Sequence, residues 1–154
     1  LEGANPMGIT VSQGVELARI GKNPSSICRM PSGWAVLCTM QYLSGYTILL
    51  PDPVVGDLNA LNRAQRTDFL NDMAVVGDAL LEVTGAYRIN YAVMGNSDQA
   101  LHAHIVPRFM HEPDELRQNQ PWAYSPEVIN SNLFDAQRDR ELIAKLAQAI
   151  QKRL

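Results

Sequence analysis

The stretch that decides the fold holds two of the three histidines of the chain and reads Leu101-His102-Ala103-His104-Ile105-Val106-Pro107-Arg108. Side chains at alternate positions of a β-strand share one face. We therefore predict a strand whose apolar residues Leu101, Ala103 and Ile105 point into the core. His102 and His104 then point together toward the opposite face. A strand with imidazoles on one side indicates the wall of a site.

The composition predicts one globular domain over residues 1–154, with 46% hydrophobic and 19% charged residues. A net charge of −3 gives no general affinity for nucleic acid polymers or anionic membranes, so we expect neither as a partner. The apolar runs are too short to span a bilayer and no signal peptide is visible, which predicts a cytoplasmic location. Cys28 and Cys38 lie in apolar surroundings and are expected to be reduced, buried thiols.

The clearest predicted helix runs from Arg63 to Thr84. Asn62 is a suitable N-cap, Gln65 completes a capping box, and Gly85 suits the position after the last turn. Its apolar residues recur at spacings of three and four, which predicts one buried stripe of Phe69, Met73, Val76, Leu80 and Val83.

Strands and further helices are predicted on both sides of this helix. The strands are Trp34–Met40, Tyr46–Leu50, Tyr87–Met94 and the histidine strand, and the shorter helices are Ser12–Ile20 and Ala136–Leu154. The polar, proline-containing segment 111–126 is expected to be an irregular loop, a kind of segment that is often functional. The order strand, strand, helix, strand, strand, helix predicts an α+β fold with an antiparallel sheet.

Three kinds of chemistry suit two imidazoles on one strand face. A neutral imidazole can attack phosphorus to form a covalent phosphoramidate while the second stabilises charge on the phosphate oxygens. The pair can also bind a metal, with His111, Asp98 or Glu112 completing the ligand set. The third possibility is a solvated sheet face with no chemistry.

The residues around the histidine strand resemble a known family. The stretch 101–108 is similar to the end of the histidine triad (HIT) signature, in which histidines alternate with apolar residues. Upstream, Met40–Pro51 resembles the strand-turn-strand of the nucleotide pocket, while Arg88–Tyr91 and Gly95–Ser97 resemble the strand and phosphate loop before the signature. The resemblance covers residues 34–109, which leaves 1–33 as an N-terminal extension and 110–154 as a C-terminal loop and helix. It implies an antiparallel sheet of about five strands with a central helix and a C-terminal helix.

The resemblance also implies site residues. His102 matches the nucleophile and His104 the residue that hydrogen-bonds phosphate or leaving-group oxygens. The positions that match phosphate contacts are Asn90, Gly95, Asn96 and Ser97, and those that match the nucleoside pocket are Leu37, Thr39 and Met40. Thr39 stands where the family often has an aspartate for the ribose hydroxyls.

The first histidine of the triad is replaced by Ala100. The resemblance implies a homodimer that hydrolyses or transfers nucleotidyl groups at the α-phosphate of a phosphoester, phosphoramidate or dinucleoside polyphosphate. No cofactor or protein-bound metal is required, although magnesium can accompany the substrate. Because Ala100 removes one histidine, a non-catalytic nucleotide sensor is the alternative, and a metal-binding protein is the third.

The sequence also suggests roles for six other residues. Arg108 can assist a phosphate, but it is expected to pair with an acid. Trp122 is expected to cover the site of its own or of a partner subunit, or to anchor its loop. His111 is expected to be a surface residue, and Glu112 to lie in a solvated acidic loop with Asp114 and Glu115.

Overall fold

The computed structural model describes residues 8–154, so the first seven residues of the predicted N-terminal extension lie outside it. Its helices are α1 (Val11–Arg19), α2 (Arg63–Thr84), α3 (Asp114–Arg117), α4 (Pro126–Ile129) and α5 (Arg140–Gln151). Its strands are β1 (Ser26–Met30), β2 (Gly33–Leu37), β3 (Thr47–Pro51), β4 (Arg88–Ala92) and β5 (Ala103–Arg108). Short 3₁₀ turns cover Leu58–Ala60 and Pro121–Ala123.

All five strands form one sheet in the order β1-β2-β3-β5-β4, and every neighbouring pair is antiparallel. This confirms the predicted α+β class. The strand β1 is absent from the sequence prediction. The predicted strand 34–40 ends at Leu37, because after Cys38 the chain turns away and Met40 forms an isolated bridge with Leu133.

The helix α2 has the predicted bounds and the predicted caps. Asn62 accepts the Gln65 N–H while the Gln65 side chain accepts the Asn62 N–H, and Gly85 adopts the left-handed conformation with φ 73°. The final helix begins at Arg140 rather than at residue 136. The side chain of Asp135 accepts the N–H groups of Gln137 and Arg138, and this turn delays the helix.

The two faces of the sheet carry different layers. The face that we call the helix face packs against α2 and α5, with buried sheet residues Ala35, Leu37, Leu49, Ala103 and Ile105. The opposite face, the histidine face, carries Val36, Ile48, Leu50, His104 and Val106 and is covered by α1 and by residues of the segment 109–134. The predicted alternation along β5 is confirmed, because its two sets of side chains join different clusters.

Most of the predicted α2 stripe lies in the chain's own core. Phe69, Met73, Val76 and Leu80 are buried in the cluster of the helix face. The stripe is therefore not a free surface for a second copy. None of the helices among residues 8–154 has the length and apolar character needed to cross a membrane.

Candidate active site

His102 and His104 lie side by side at the start of β5, with ring centroids 5.0 Å apart. Both point to the histidine face and both are buried, at 6% and 2% exposed. Burial of a polar group is costly unless it is hydrogen-bonded. Each imidazole is in fact held by a specific partner, so the pair is an ordered site.

The proton of His102 has a defined position. Its Nδ1 lies 2.8 Å from the backbone carbonyl oxygen of Ala100. A carbonyl oxygen only accepts hydrogen bonds, so Nδ1 must carry the proton and donate it. In the neutral ring the lone pair is then on Nε2, which is the form that a nucleophile requires.

His104 is held by a tyrosine of the neighbouring strand region. Its Nδ1 lies 2.6 Å from the Tyr46 hydroxyl oxygen. Burial, with a smaller effect of the nearby His102, lowers the pKa of His104 to about 3. The ring is therefore neutral at physiological pH.

Trp122 closes the site from the 3₁₀ turn Pro121–Ala123. Its ring packs edge-on against His104 with centroids 5.3 Å apart. The turn is held to the sheet side by Tyr42, whose hydroxyl donates to the Pro121 carbonyl at 2.7 Å. Trp122 therefore packs on His104 of its own chain.

Arg108, at the end of β5, holds the segment that leads to Trp122. It is 1% exposed, forms an ion pair of 2.9 Å with Glu112, and donates to the carbonyl oxygens of Leu116 and Asn119. Glu112 also accepts from Tyr124 at 2.6 Å. The predicted pairing of Arg108 with an acid is confirmed, whereas the prediction of a solvated Glu112 is wrong, because the buried guanidinium needs a counter-ion.

The predicted phosphate-contacting residues lie on β4 and in the loop between β4 and β5. Asn90 shares the histidine face, and its Oδ1 accepts from Arg108 at 2.8 Å. The loop between β4 and β5 carries Gly95, with φ 78°, and the exposed residues Asn96 and Ser97. Asp98 follows and accepts from the N–H groups of Val11 and Ala100.

Two of the predicted nucleoside-binding residues, Leu37 and Met40, lie on opposite sides of the sheet. Met40 is buried in the cluster of the histidine face, and half-buried Thr39 accepts the Phe134 N–H through its backbone carbonyl. Leu37 lies in the core of the helix face. The structure therefore does not bring Leu37 to the histidines.

The three residues that were candidates for additional metal ligands make other contacts in the structure. Glu112 pairs with Arg108, both carboxylate oxygens of Asp98 accept backbone N–H groups, and His111 stacks on Phe109 with ring centroids 5.0 Å apart. Among the described residues 8–154, no group of three or more His, Cys, Asp or Glu side chains is arranged to hold a metal ion. Cys28 and Cys38 are free and buried, as predicted.

Three residues of the site were not predicted in these roles. The sequence predicts Tyr46 only as a strand residue, Ala100 only as a position without an imidazole, and Glu112 as a solvated residue. The alternation that places Tyr46 on the same face as Ile48 is visible in the sequence. The carbonyl of Ala100 leaves no sequence signal, and the expected pairing of Arg108 with an acid does not identify Glu112, because both contacts depend on where the chain turns.

Solved structures of histidine triad proteins are similar to this one. The protein from Marinobacter aquaeolei VT8 matches with a TM-score of 0.69 at 18% identity, over 89% of this chain and 93% of its own. The one from Sinorhizobium meliloti 1021 has a TM-score of 0.68 at 19% identity, over 87% and 93%. A hypothetical histidine triad nucleotide-binding protein from Sulfolobus tokodaii strain7 has a TM-score of 0.69 at 12% identity, over 91% and 92%.

The sequence matches no protein-family model and no curated protein at a significant level. Solved histidine triad proteins nonetheless match this structure over most of both chains. The protein therefore has the fold of the histidine triad proteins.

Proposed function

We propose that the protein is a nucleotide-binding hydrolase or nucleotidyltransferase that acts at the α-phosphate through a covalent nucleotidyl-His102. The observation that carries the proposal is the hydrogen bond from His102 Nδ1–H to the Ala100 carbonyl, which leaves the lone pair on Nε2. A histidine triad nucleotide-binding protein among the structural relatives supports the ligand class.

In the first step, Nε2 of His102 attacks the α-phosphorus and forms a P–N bond. The bond from phosphorus to the leaving group breaks, and the leaving group departs with its electron pair. Water or an acceptor hydroxyl then attacks the phosphorus and gives its proton to the departed leaving group or to solvent, the P–N bond breaks, and Nε2 recovers its lone pair. The products of hydrolysis are a nucleoside monophosphate and the leaving group.

His104 stabilises the charge that develops on the phosphate oxygens. When the Tyr46 hydroxyl donates to Nδ1, the proton of the neutral ring is on Nε2, which becomes a hydrogen-bond donor in a site shielded from water. The low pKa keeps this ring neutral. We propose the same donor role for the amides of Gly95, Asn96 and Ser97.

Asn90 is proposed to contact phosphate through its amide nitrogen. Arg108 donates to Asn90 Oδ1, so the amide nitrogen of Asn90 is the end that points away from the guanidinium. Thr39 and Met40 are proposed for the nucleoside. Magnesium is expected only as a companion of a polyphosphate substrate, because the proposed transfer uses imidazole and hydrogen-bond donors.

A non-catalytic nucleotide sensor is the second candidate. The observation that favours it is the burial of both histidines, with Trp122 packed against His104, together with the missing imidazole at Ala100. A sensor binds nucleotides saturably in calorimetry and turns over none of them.

We also propose a homodimer that forms along β4. This strand is at the edge of the sheet, and its neighbourhood exposes Tyr87, Tyr91, Val93 and Met94. Edge strands with apolar side chains are places where chains associate. Light scattering at micromolar concentration tests the dimer, and a monomer there contradicts it.

The test of the function is a turnover screen of nucleotide phosphoramidates, dinucleoside polyphosphates and nucleoside diphosphate sugars. His102→Ala is expected to abolish turnover of every substrate that the wild type consumes. His111→Ala is the matched control, since this histidine is exposed and stacks only on Phe109. Full turnover by His102→Ala contradicts the proposed nucleophile.

A further inference from the structure

Asp98 connects two parts of the chain that are distant in sequence. Its Oδ2 accepts the N–H of Val11 at 2.8 Å, and its Oδ1 accepts the N–H of Ala100 at 3.1 Å. Val11 is the first residue of α1. A single carboxylate therefore joins the N-terminus of α1 to the turn that precedes His102.

The second of these hydrogen bonds leads to the nucleophile. Ala100 gives its N–H to Asp98 and its carbonyl oxygen to His102 Nδ1–H. The peptide group that contains this carbonyl also donates its N–H, that of Leu101, to the carbonyl of Val55 at 2.8 Å. Both peptide groups of Ala100 are thus held, one by Asp98 and the other by Val55 and His102.

The charge of Asp98 suits this arrangement. A carboxylate at the N-terminus of a helix interacts favourably with the helix dipole, and hydrogen bonds to a charged acceptor are stronger than neutral ones. Both oxygens accept backbone N–H groups, so the carboxylate is directed at the protein and not at an incoming phosphate. Its negative charge still lies one residue from the proposed phosphate contact Ser97.

We propose that Asp98 is a positioning residue for His102. It orients the Ala100 backbone, and the Ala100 carbonyl keeps the His102 proton on Nδ1. The effect that we expect on turnover rests on the proposed function, whereas the effect on the His102 tautomer does not. In this way a residue that is not a histidine supports the nucleophile in a chain whose first triad position is alanine.

The test compares Asp98→Ala with Thr10→Ala. Thr10 caps α1 by accepting the Gln13 N–H at 3.1 Å, so its loss weakens the same helix end without removing the acceptor of the Ala100 N–H. Nitrogen-15 NMR of the imidazoles without substrate gives the tautomer of His102. We expect the Nδ1–H form alone in the wild type and in Thr10→Ala, and a mixture of tautomers in Asp98→Ala.

The kinetic readout separates positioning from general loss of structure. Asp98→Ala is expected to lower kcat by about 10- to 100-fold, because a misplaced nucleophile costs rate. KM for an anionic substrate is expected to stay constant or fall, since a negative charge leaves the phosphate loop. Asp98→Asn retains one acceptor oxygen and is expected to be intermediate, and it replaces the alanine variant if that variant does not fold.

An unchanged His102 tautomer in Asp98→Ala and Asp98→Asn overturns this inference, as does an equal shift in Thr10→Ala. The tautomer is measured without turnover, so the inference is decided even if no substrate is found. Conversely, a nucleotidyl-His102 adduct together with an unchanged tautomer in the Asp98 variants supports the proposed function and rejects only the role of Asp98.

Discussion

The Tyr46 hydroxyl and His104 Nδ1 share a hydrogen bond of 2.6 Å between two buried rings. Burial raises the pKa of Tyr46 well above its usual value, so the phenol keeps its proton. The same burial lowers the pKa of His104 to about 3. Two neutral rings are therefore paired, and a phenol that donates to Nδ1 leaves the His104 Nε2–H free for substrate.

We predict that Tyr46→Phe lowers both stability and turnover. The variant keeps the aromatic ring but leaves Nδ1 of His104 without its partner, which costs about 1–3 kcal/mol for a buried acceptor. The His104 tautomer is then no longer set, so kcat is expected to fall about tenfold. Urea unfolding and steady-state kinetics measure the two effects.

Tyr42→Phe is the control for that variant. Its hydroxyl donates to the Pro121 carbonyl and not to a histidine. It is expected to lose stability with a smaller change in kcat. An equal loss of kcat in both variants would mean that Tyr46 acts only through packing.

We predict that His104 makes the protein less stable in mild acid. Its folded pKa is about 3, below the usual histidine pKa of about 6.5, so between these values the unfolded chain binds a proton that the folded protein does not. Stability is therefore complete above the unfolded pKa and falls as the pH drops below it, by about 2 kcal/mol from pH 7.5 to pH 5. Unfolding by urea at several pH values measures this slope.

His104→Gln tests whether His104 causes this pH dependence of stability, and His111→Gln is the comparison. Gln does not titrate, so His104→Gln is expected to flatten the pH dependence of stability between pH 5 and pH 7.5. His111→Gln, at an exposed histidine outside the site, is the matched control variant. A slope that survives in His104→Gln would assign the acid sensitivity to another group.

We predict that Glu112→Ala is strongly destabilising, by about 3–5 kcal/mol, because it leaves the Arg108 guanidinium buried without a counter-ion. The variant also removes the acceptor of the Tyr124 hydroxyl, so the turn that carries Trp122 is expected to loosen. Urea unfolding measures the first effect. Fluorescence of Trp122 in a Trp34→Phe background measures the second as a red shift.

Asp114→Ala provides the comparison on the same segment. Its ion pair with Arg117 is 2.8 Å long, but the carboxylate side chain is 83% exposed. Pairs of this kind contribute about 0–1 kcal/mol. A loss in Glu112→Ala no larger than that in Asp114→Ala would contradict the anchoring role of Arg108.

We predict that Ala100→His changes turnover by less than about threefold. Ala100 contributes to the site through its backbone carbonyl, and a substitution keeps that group. The partly buried position has to accept a larger side chain, which gives at most a modest loss of stability, about 1–3 kcal/mol. If the wild type is inactive and Ala100→His turns over nucleotides, the protein is a sensor.

Local sequence signals predicted much of the fold. The capping box of Asn62 and Gln65, the glycine after Thr84 and the alternation in 101–108 each act within a few residues, and the structure has all of them. The strand β1 was missed because its five residues follow a turn and include exposed Arg29. It is defined by its pairing with β2, which is not a local property.

The sequence predicts the histidine side chains of the site, but it does not predict the groups that hold them in place. His102 and His104 could be named from their spacing. The groups that fix their protons are a backbone carbonyl at Ala100 and a hydroxyl 58 residues away at Tyr46. The sequence predicts an acid partner for Arg108, but nothing in the polar loop indicates that Glu112 is that acid.

The central claim is that His102 Nε2 becomes bonded to the α-phosphorus of a nucleotide. The most direct measurement is rapid acid-free denaturation during turnover of an active substrate from the screen, followed by peptide mass spectrometry. We predict a nucleotidyl group on His102 in the wild type, and none in His102→Ala. A nucleotidyl group on another residue, or turnover that persists in His102→Ala, would contradict the account.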